Sequence, residues 1–201
     1  MSGMDRDARC SGKPSSGTLV LVVGPSGAGK DTLIGLARAL LSGRQDIVFV
    51  RRTITRPAGA DGERHLPMSD EAFAAAEQAG AFALSWRAHG LAYGLPCAML
   101  DDLAAGRTVV ANISRGMVEA AGALCARSLV VEVTAPPEVL VSRLTARGRE
   151  DGAAVAQRLA RPGVEAGSGE RVRIENVGDP GVSAARLAEL IAAARGGDGP
   201  R

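Results

Sequence analysis

A six-residue apolar run, Thr18-Leu-Val-Leu-Val-Val23, passes without a break into Gly24-Pro-Ser-Gly-Ala-Gly-Lys30-Asp31-Thr32 and then into an Ala/Leu-rich stretch of helical period. Strand, glycine loop and helix in this order constrain the fold more than any other feature of the chain. Glycine lets the backbone approach a polyphosphate closely, its N–H groups turn inward, and the helix N-terminus adds positive potential. Lys30 stands where its ammonium would bridge the outer phosphates. Gly24, Pro25, Ser26, Gly27, Ala28, Gly29, Lys30, Asp31 and Thr32 are therefore the candidate nucleotide-binding residues, with Lys30 also catalytic. Only Lys13 and Lys30 are lysines, against 22 arginines, so a lysine kept in this loop points to a chemical need.

Two positions depart from the usual pattern. The residue after the lysine is commonly Ser or Thr, whose hydroxyl ligates Mg²⁺; here it is Asp31, with Thr32 one place later. Either Asp31 contacts the metal, directly or through water, or Thr32 supplies the hydroxyl from a shifted helix start. Both are candidate Mg²⁺ ligands. The run Thr108 to Asn112 ends in Asn where many kinases and ATPases with such a loop place a metal-orienting Asp. Glu132, inside another apolar run, is either a substitute or a paired structural carboxylate.

Five β-rich apolar runs alternate with helical stretches: Thr18 to Val23, Asp46 to Val50, Thr108 to Asn112, Ser128 to Thr134 and Arg171 to Glu175. Helices are expected near Lys30 to Leu41, Pro96 to Ala105, Gly116 to Ala123, Pro137 to Arg147, Gly152 to Ala160 and Val182 to Arg195, and another begins at Ser69, a good N-cap followed by acids. This is an α/β pattern: a mainly parallel five-stranded sheet flanked by helices. At 201 residues and 46% hydrophobic the chain fits one domain, expected over residues 17–195, with disordered tails at 1–16 and 196–201. The stretch Thr53 to Tyr93 is the least regular and the natural place for substrate contacts.

A net charge of +2 does not suit a nucleic-acid or membrane-surface binder. The sequence shows neither a membrane span nor a signal peptide, so a cytoplasmic protein is the default expectation. Cys10, Cys97 and Cys125 are too few and too scattered for a disulfide framework or zinc site, and are expected to be reduced, buried thiols.

A glycine loop of this kind serves both GTPase switches and kinases. The guanine-reading N-K-x-D motif of the switches needs a lysine, and none follows Lys30. Arg51-Arg-Thr-Ile-Thr-Arg56-Pro57 offers guanidiniums and hydroxyls to a phosphorylated acceptor, or is an Arg-rich solvated loop. Arg143 and Arg147 lie four apart on one helix face with Arg149 beyond; they are either a lid over the donor phosphates or a surface stripe.

The motifs G-P-S-G-A-G-K, T-I-T-R-P, Tyr93-Gly94, R-L-x-x-R-G-R-E and the late Asn176 resemble the guanylate-kinase-like branch of P-loop kinases from about Thr18 to Arg195. Within it, G-K-D-T, Gly62-Glu-Arg-His65, Ser85-Trp-Arg-Ala-His-Gly-Leu-Ala-Tyr-Gly94 and Asn112-Ile-Ser-Arg115 look most like the ribose 1,5-bisphosphate phosphokinases. The resemblance implies a P-loop kinase fold with acceptor-binding and lid segments, and Mg²⁺ with ATP as co-substrate. It implies transfer of a phosphoryl group to ribose 1,5-bisphosphate in phosphonate breakdown, yielding 5-phosphoribosyl 1-diphosphate (PRPP). A guanylate kinase or a non-catalytic binding module are the alternatives, and homodimerisation is left open.

On that reading Lys30, Arg143 and Arg147 are catalytic and Arg149 joins the ATP site. Arg52, Thr55, Arg56, Glu63, His65, Arg87, His89, Tyr93, Asn112, Ser114 and Arg115 form the acceptor site. Structural roles compete for several of these: Glu63 as a loop ion pair, His65 and His89 as ordinary loop histidines, Ser114 as a helix cap. Arg87 stands where guanylate kinases carry an acid that reads guanine, and Leu91 where they carry Asn. An arginine offers only donors, so the reading expects guanine to be rejected and a phosphate accepted.

Overall fold

Leu19, Val20, Leu21, Val22 and Val23 have no exposed surface, as an unbroken apolar strand must when both sheet faces are covered. The computed structural model describes residues 16–57, 64–146 and 170–194. The expected tails, apart from Ser16, and the helix expected at Gly152 to Ala160 lie outside them.

The elements run β1 (Thr18–Val23), α1 (Lys30–Leu40), β2 (Ile47–Phe49), β3 (Thr53–Ile54), β4 (Leu66–Pro67), α2 (Asp70–Gln78), β5 (Phe82–Ala88), β6 (Leu91–Pro96), α3 (Ala98–Ala104) and β7 (Thr108–Asn112). A 3₁₀ turn (Arg115–Met117), α4 (Val118–Gly122), β8 (Ser128–Thr134), α5 (Pro137–Ala146), β9 (Glu170–Glu175) and a last helix, α6 (Pro180–Ala193), follow. The main sheet has the order β2-β7-β1-β8-β9, all parallel, so the five strands expected from the apolar runs are the five observed. The chain winds from central β1 to one side through β2 and β7, then to the other through β8 and β9. The carboxyl ends of strands beside such a reversal form the crevice where α/β sheets bind ligands.

Alternation along β1 divides the core. Val20 and Val22 pack under α1 and α6 with Leu33, Ala37, Leu187 and Ile191. Leu19, Leu21 and Val23 face Met99 and Leu103 of α3 and Val118 of α4. Asp179, accepting from the Gly181 N–H at 2.9 Å, caps α6 ahead of Pro180, a start signal that places this helix earlier than the periodicity did. Ser69 caps α2 as expected, its hydroxyl accepting from the Ala72 N–H at 3.2 Å.

The stretch expected to be irregular holds a second sheet of order β4-β3-β6-β5. Two of its strands are only two residues long, too short for any period to show. β5 and β6 form a hairpin turning at His89 (φ 53) and Gly90 (φ 71), the positive pair of a type I′ turn. Pro96, expected to open a helix, ends β6 opposite Phe82. Cys97 and Cys125, expected to be buried thiols, are each only half-buried.

Candidate active site

The glycine loop joins the end of β1 to the start of α1. Gly24, Gly27 and Gly29 take φ of 143, 83 and 87, a left-handed course that side chains resist. At Gly24 a β-carbon would fall on the carbonyl of Val133, and at Gly29 it would stand 2.5 Å from Asn176 Nδ2. The curl brings the Lys30 ammonium back onto its own loop, donating to the Gly24 and Pro25 carbonyls at 2.9 Å each.

Asn176, which follows β9, is the residue that sequence reasoning quoted but gave no role. Its Nδ2 donates to the Ala28 carbonyl at 2.8 Å, while its own carbonyl accepts from Arg143 of α5 at 3.1 Å. Asn176 thereby ties the loop, through its side chain, and a candidate lid arginine, through its main-chain carbonyl, to the end of β9. Arg143 Nη1 is buried without a protein partner, 4.0 Å from where a Gly29 β-carbon would stand, so a guanidinium nitrogen sits over the loop. An unsatisfied buried donor beside a phosphate cradle is suited to an anionic oxygen. Arg147 and Arg149 lie outside the described residues, as does Glu63.

On the other side of the loop, Asp31 accepts from Asn112 Nδ2 at 2.7 Å and stands 3.8 Å from the Arg52 guanidinium. Arg52 lies 5.4 Å from the centre of the Tyr93 ring, which stacks on Trp86 at 5.3 Å with planes 5° apart. Trp86, Tyr93, Arg52, Asp31 and Asn112 thus form one connected patch from the small sheet to the phosphate loop. Asp31 and Thr32 are exposed in the first turn of α1. The Asn112 Oδ1 is buried with no partner. Mg²⁺ in phosphate sites takes one or two carboxylates, the substrate phosphates and water, so a single carboxylate beside an orphaned amide oxygen fits it. Glu132 pairs instead with Arg173 across β8 and β9 at 3.2 Å.

The remaining acceptor candidates divide. Thr55 Oγ1 accepts from the Ala92 N–H at 2.9 Å, joining β3 to β6. His65 is buried, and its Nε2 donates to the Arg56 carbonyl at 3.0 Å, which positions the segment carrying Arg56. Thr55, Arg56 and Pro57 line a cleft of about 450 Å³ whose other wall runs from Pro67 to Glu71 and includes the acid Asp70. Ser114 holds the N-cap position of the 3₁₀ turn containing Arg115, just past β7, without a side-chain cap bond. His89 is exposed at the hairpin tip.

Arg87 is not brought to the patch. It and Ser85 point to the α2 side of β5, where Arg87 Nη2 donates to Glu77 at 2.9 Å and Ser85 Oγ to the same carboxylate at 2.6 Å. Trp86, between them, faces the other way. The Arg87 guanidinium also lies 5.8 Å from the Phe73 ring centre. These donors hold the Glu77 carboxyl below its usual range, the Arg87 hydrogen bond first and the Ser85 hydroxyl second.

A glycine loop between the central strand and first helix of a parallel sheet, with a lysine, a poised arginine and a carboxylate around it, defines a P-loop phosphotransferase. A guanylate kinase from Anaplasma phagocytophilum shares the fold, with a TM-score of 0.61 over 92% of this chain and 89% of that one at 18% identity. No family model matches the chain. A ribose 1,5-bisphosphate phosphokinase from Rhodopseudomonas palustris is 50% identical over 175 residues, covering 87% of this chain and 88% of the relative. Another, from Methylobacterium radiotolerans, is 52% identical over 171 residues, covering 85% and 95%. The chain belongs to the ribose 1,5-bisphosphate phosphokinase family. Among the described residues no helix is long and apolar enough to cross a membrane.

Proposed function

We propose that this protein transfers the γ-phosphoryl group of ATP to the 1-phosphate of ribose 1,5-bisphosphate, giving PRPP and ADP, in phosphonate breakdown. The kinship supplies the substrate class; the observation that carries the chemistry is Arg52, which joins the aromatic pair of the small sheet to Asp31 on the phosphate loop. An acceptor phosphate held by Arg52 would stand next to the donor.

An acceptor phosphate oxygen attacks the γ-phosphorus as the bond to the β,γ-bridging oxygen breaks, and the bridging oxygen's electrons leave with ADP. The acceptor is already anionic at neutral pH, so no general base is needed. Catalysis then consists of holding two polyanions in line and offsetting their repulsion. Lys30 leaves its loop carbonyls for the β and γ phosphates, and the loop N–H groups hold the donor. Arg143 Nη1 meets charge on the transferring group, with Arg147 and Arg149 completing the lid. Arg52, Arg56 and Arg115 hold the acceptor's phosphates, with Thr55, Glu63, His65, His89, Tyr93 and Ser114 shaping its pocket. Asp31 and Thr32, backed by Asn112, would hold Mg²⁺, which when bound neutralises the donor's β and γ oxygens. Arg87, tied to Glu77 on the α2 side of β5, has no part in this reading, and the preference for a sugar over GMP does not rest on it.

Phosphorus NMR on the purified protein with Mg·ATP tests this, with ribose 1,5-bisphosphate in one tube and GMP in another. Diphosphate signals at C1 in the sugar tube are expected. GDP formed in the second tube with no change in the first would make the protein a guanylate kinase, and no reaction in either would favour a non-catalytic module.

A further inference from the structure

We propose that in this protein the metal-orienting carboxylate of the phosphate site has been transposed from the end of β7 to the start of α1, with Asn112 as the neutral positioning residue that makes the transposition workable. The inference rests on the reading of the site as one for Mg·ATP. Asp31 occupies the position where such loops usually carry a hydroxyl, and Asn112 the strand end where they usually carry a carboxylate. The fold brings these positions, 81 residues apart, into direct contact, the Asn112 amide donating to Asp31 Oδ1 at 2.7 Å.

The contact explains why the two departures occur together. A carboxylate at position 112 would set a second negative charge at hydrogen-bond distance from Asp31, inside a site already built for polyanions. An amide at 112 instead donates, and it turns one oxygen of Asp31 toward β7. Position 112 is 8% exposed, so water relieves little of that repulsion. A hydroxyl at 31 with a carboxylate at 112 carries the same total charge as the carboxylate and amide found here. Net charge is preserved while its location moves onto the helix.

The second observation is the other half of the Asn112 amide. Its Oδ1 is buried and has no partner in the protein. With Nδ2 committed to a carboxylate, which only accepts, the amide orientation is determined and Oδ1 is left as an acceptor without a donor. Buried acceptors of this kind are rare in native proteins unless something else completes them. Asn112 thus acts in two ways: it aims Asp31, and it presents a neutral oxygen beside that carboxylate.

The test measures Mn²⁺ binding in the presence of ATP, from the loss of the free-ion electron paramagnetic resonance signal, on the full-length protein. Four forms are compared: parent, Asp31→Thr, Asn112→Asp, and the double variant Asp31→Thr/Asn112→Asp. Asn112→Asp is expected to weaken Mn²⁺ binding by about 10- to 100-fold, the usual effect of losing a ligand's orienting partner, and Asp31→Thr, which removes the carboxylate itself, by at least as much. The double variant, which restores the ordinary arrangement, is expected to return to within roughly threefold of the parent. ATP affinity without metal, measured alongside, should change less than the metal affinity. Losses that multiply in the double variant would overturn the proposal, as would unchanged Mn²⁺ affinity in Asp31→Thr, whose exposed position makes misfolding an unsuitable explanation. Because the readout is metal affinity, it is independent of the NMR experiment: a parent that phosphorylates GMP would overturn the assigned acceptor and leave the transposition standing.

Discussion

Lys30 and Glu77 show how differently two charged residues act in one fold. Lys30, whose ammonium donates to two loop carbonyls at 2.9 Å, is the loop's cation. Lys30→Ala is expected to lower turnover by about 10²- to 10³-fold, the effect of removing one preorganised charge-stabilising group, with the circular dichroism spectrum unchanged. Glu77, by contrast, is a surface anchor for Arg87 and Ser85. Because its folded-state pKa is lowered, its contribution to stability is fully present above the ordinary carboxylate range and is lost as pH falls through the lowered value. Glu77→Gln is therefore expected to be less stable than the parent near neutral pH. The gap should close on acidification in urea titrations at low salt, and added salt should shrink it because the pair is exposed. A gap that widens toward acid pH would contradict this assignment.

At the scale of elements, Asn176 stands where α5, the end of β9 and the phosphate loop meet, its main chain bonded to α5 and its side chain to the loop. Asn176→Ala removes the donor to the buried Ala28 carbonyl and leaves that acceptor unpaired, which costs about 1–3 kcal/mol. Urea denaturation should read this loss. Nucleotide affinity should fall as well, because the loop's left-handed course at Gly29 passes against the Asn176 side chain. A variant as stable as the parent would mean that water replaces the amide. The parallel strands were legible because each is a continuous apolar run, and so was the loop. The small sheet was not, because β3 and β4 have two residues each and make sense only as partners of β6.

For the whole molecule, the phosphate loop lies at the carboxyl end of β1, between α1 and the aromatic patch of the small sheet, so ligand binding should stabilise the global fold. Mg·ATP at a hundred times its dissociation constant would add about 2.7 kcal/mol. For a chain of this length that corresponds to a rise in melting temperature of roughly 5–10 °C. Differential scanning fluorimetry should show this rise in the parent and little of it in Lys30→Ala. Equal rises in both would remove Lys30 from the donor site.

What the sequence by itself determined is the nucleotide half of the site, because its chemistry is carried by nine consecutive residues, Gly24 to Thr32, whose spacing is also their geometry. The central sheet followed for the same reason: strand burial on two faces is written locally as an apolar run. The acceptor half was decided by tertiary structure. In β5 the residues alternate between faces, and a register shift between Phe82 and Leu84 helps set which of Trp86 and Arg87 meets Tyr93. Arg87 therefore serves α2, while Arg52, from the loop before β3, reaches Asp31. The Asp31–Asn112 and Asn176–Ala28 bonds span 81 and 148 residues, and no local pattern encodes a pairing that exists only once the strands are laid side by side.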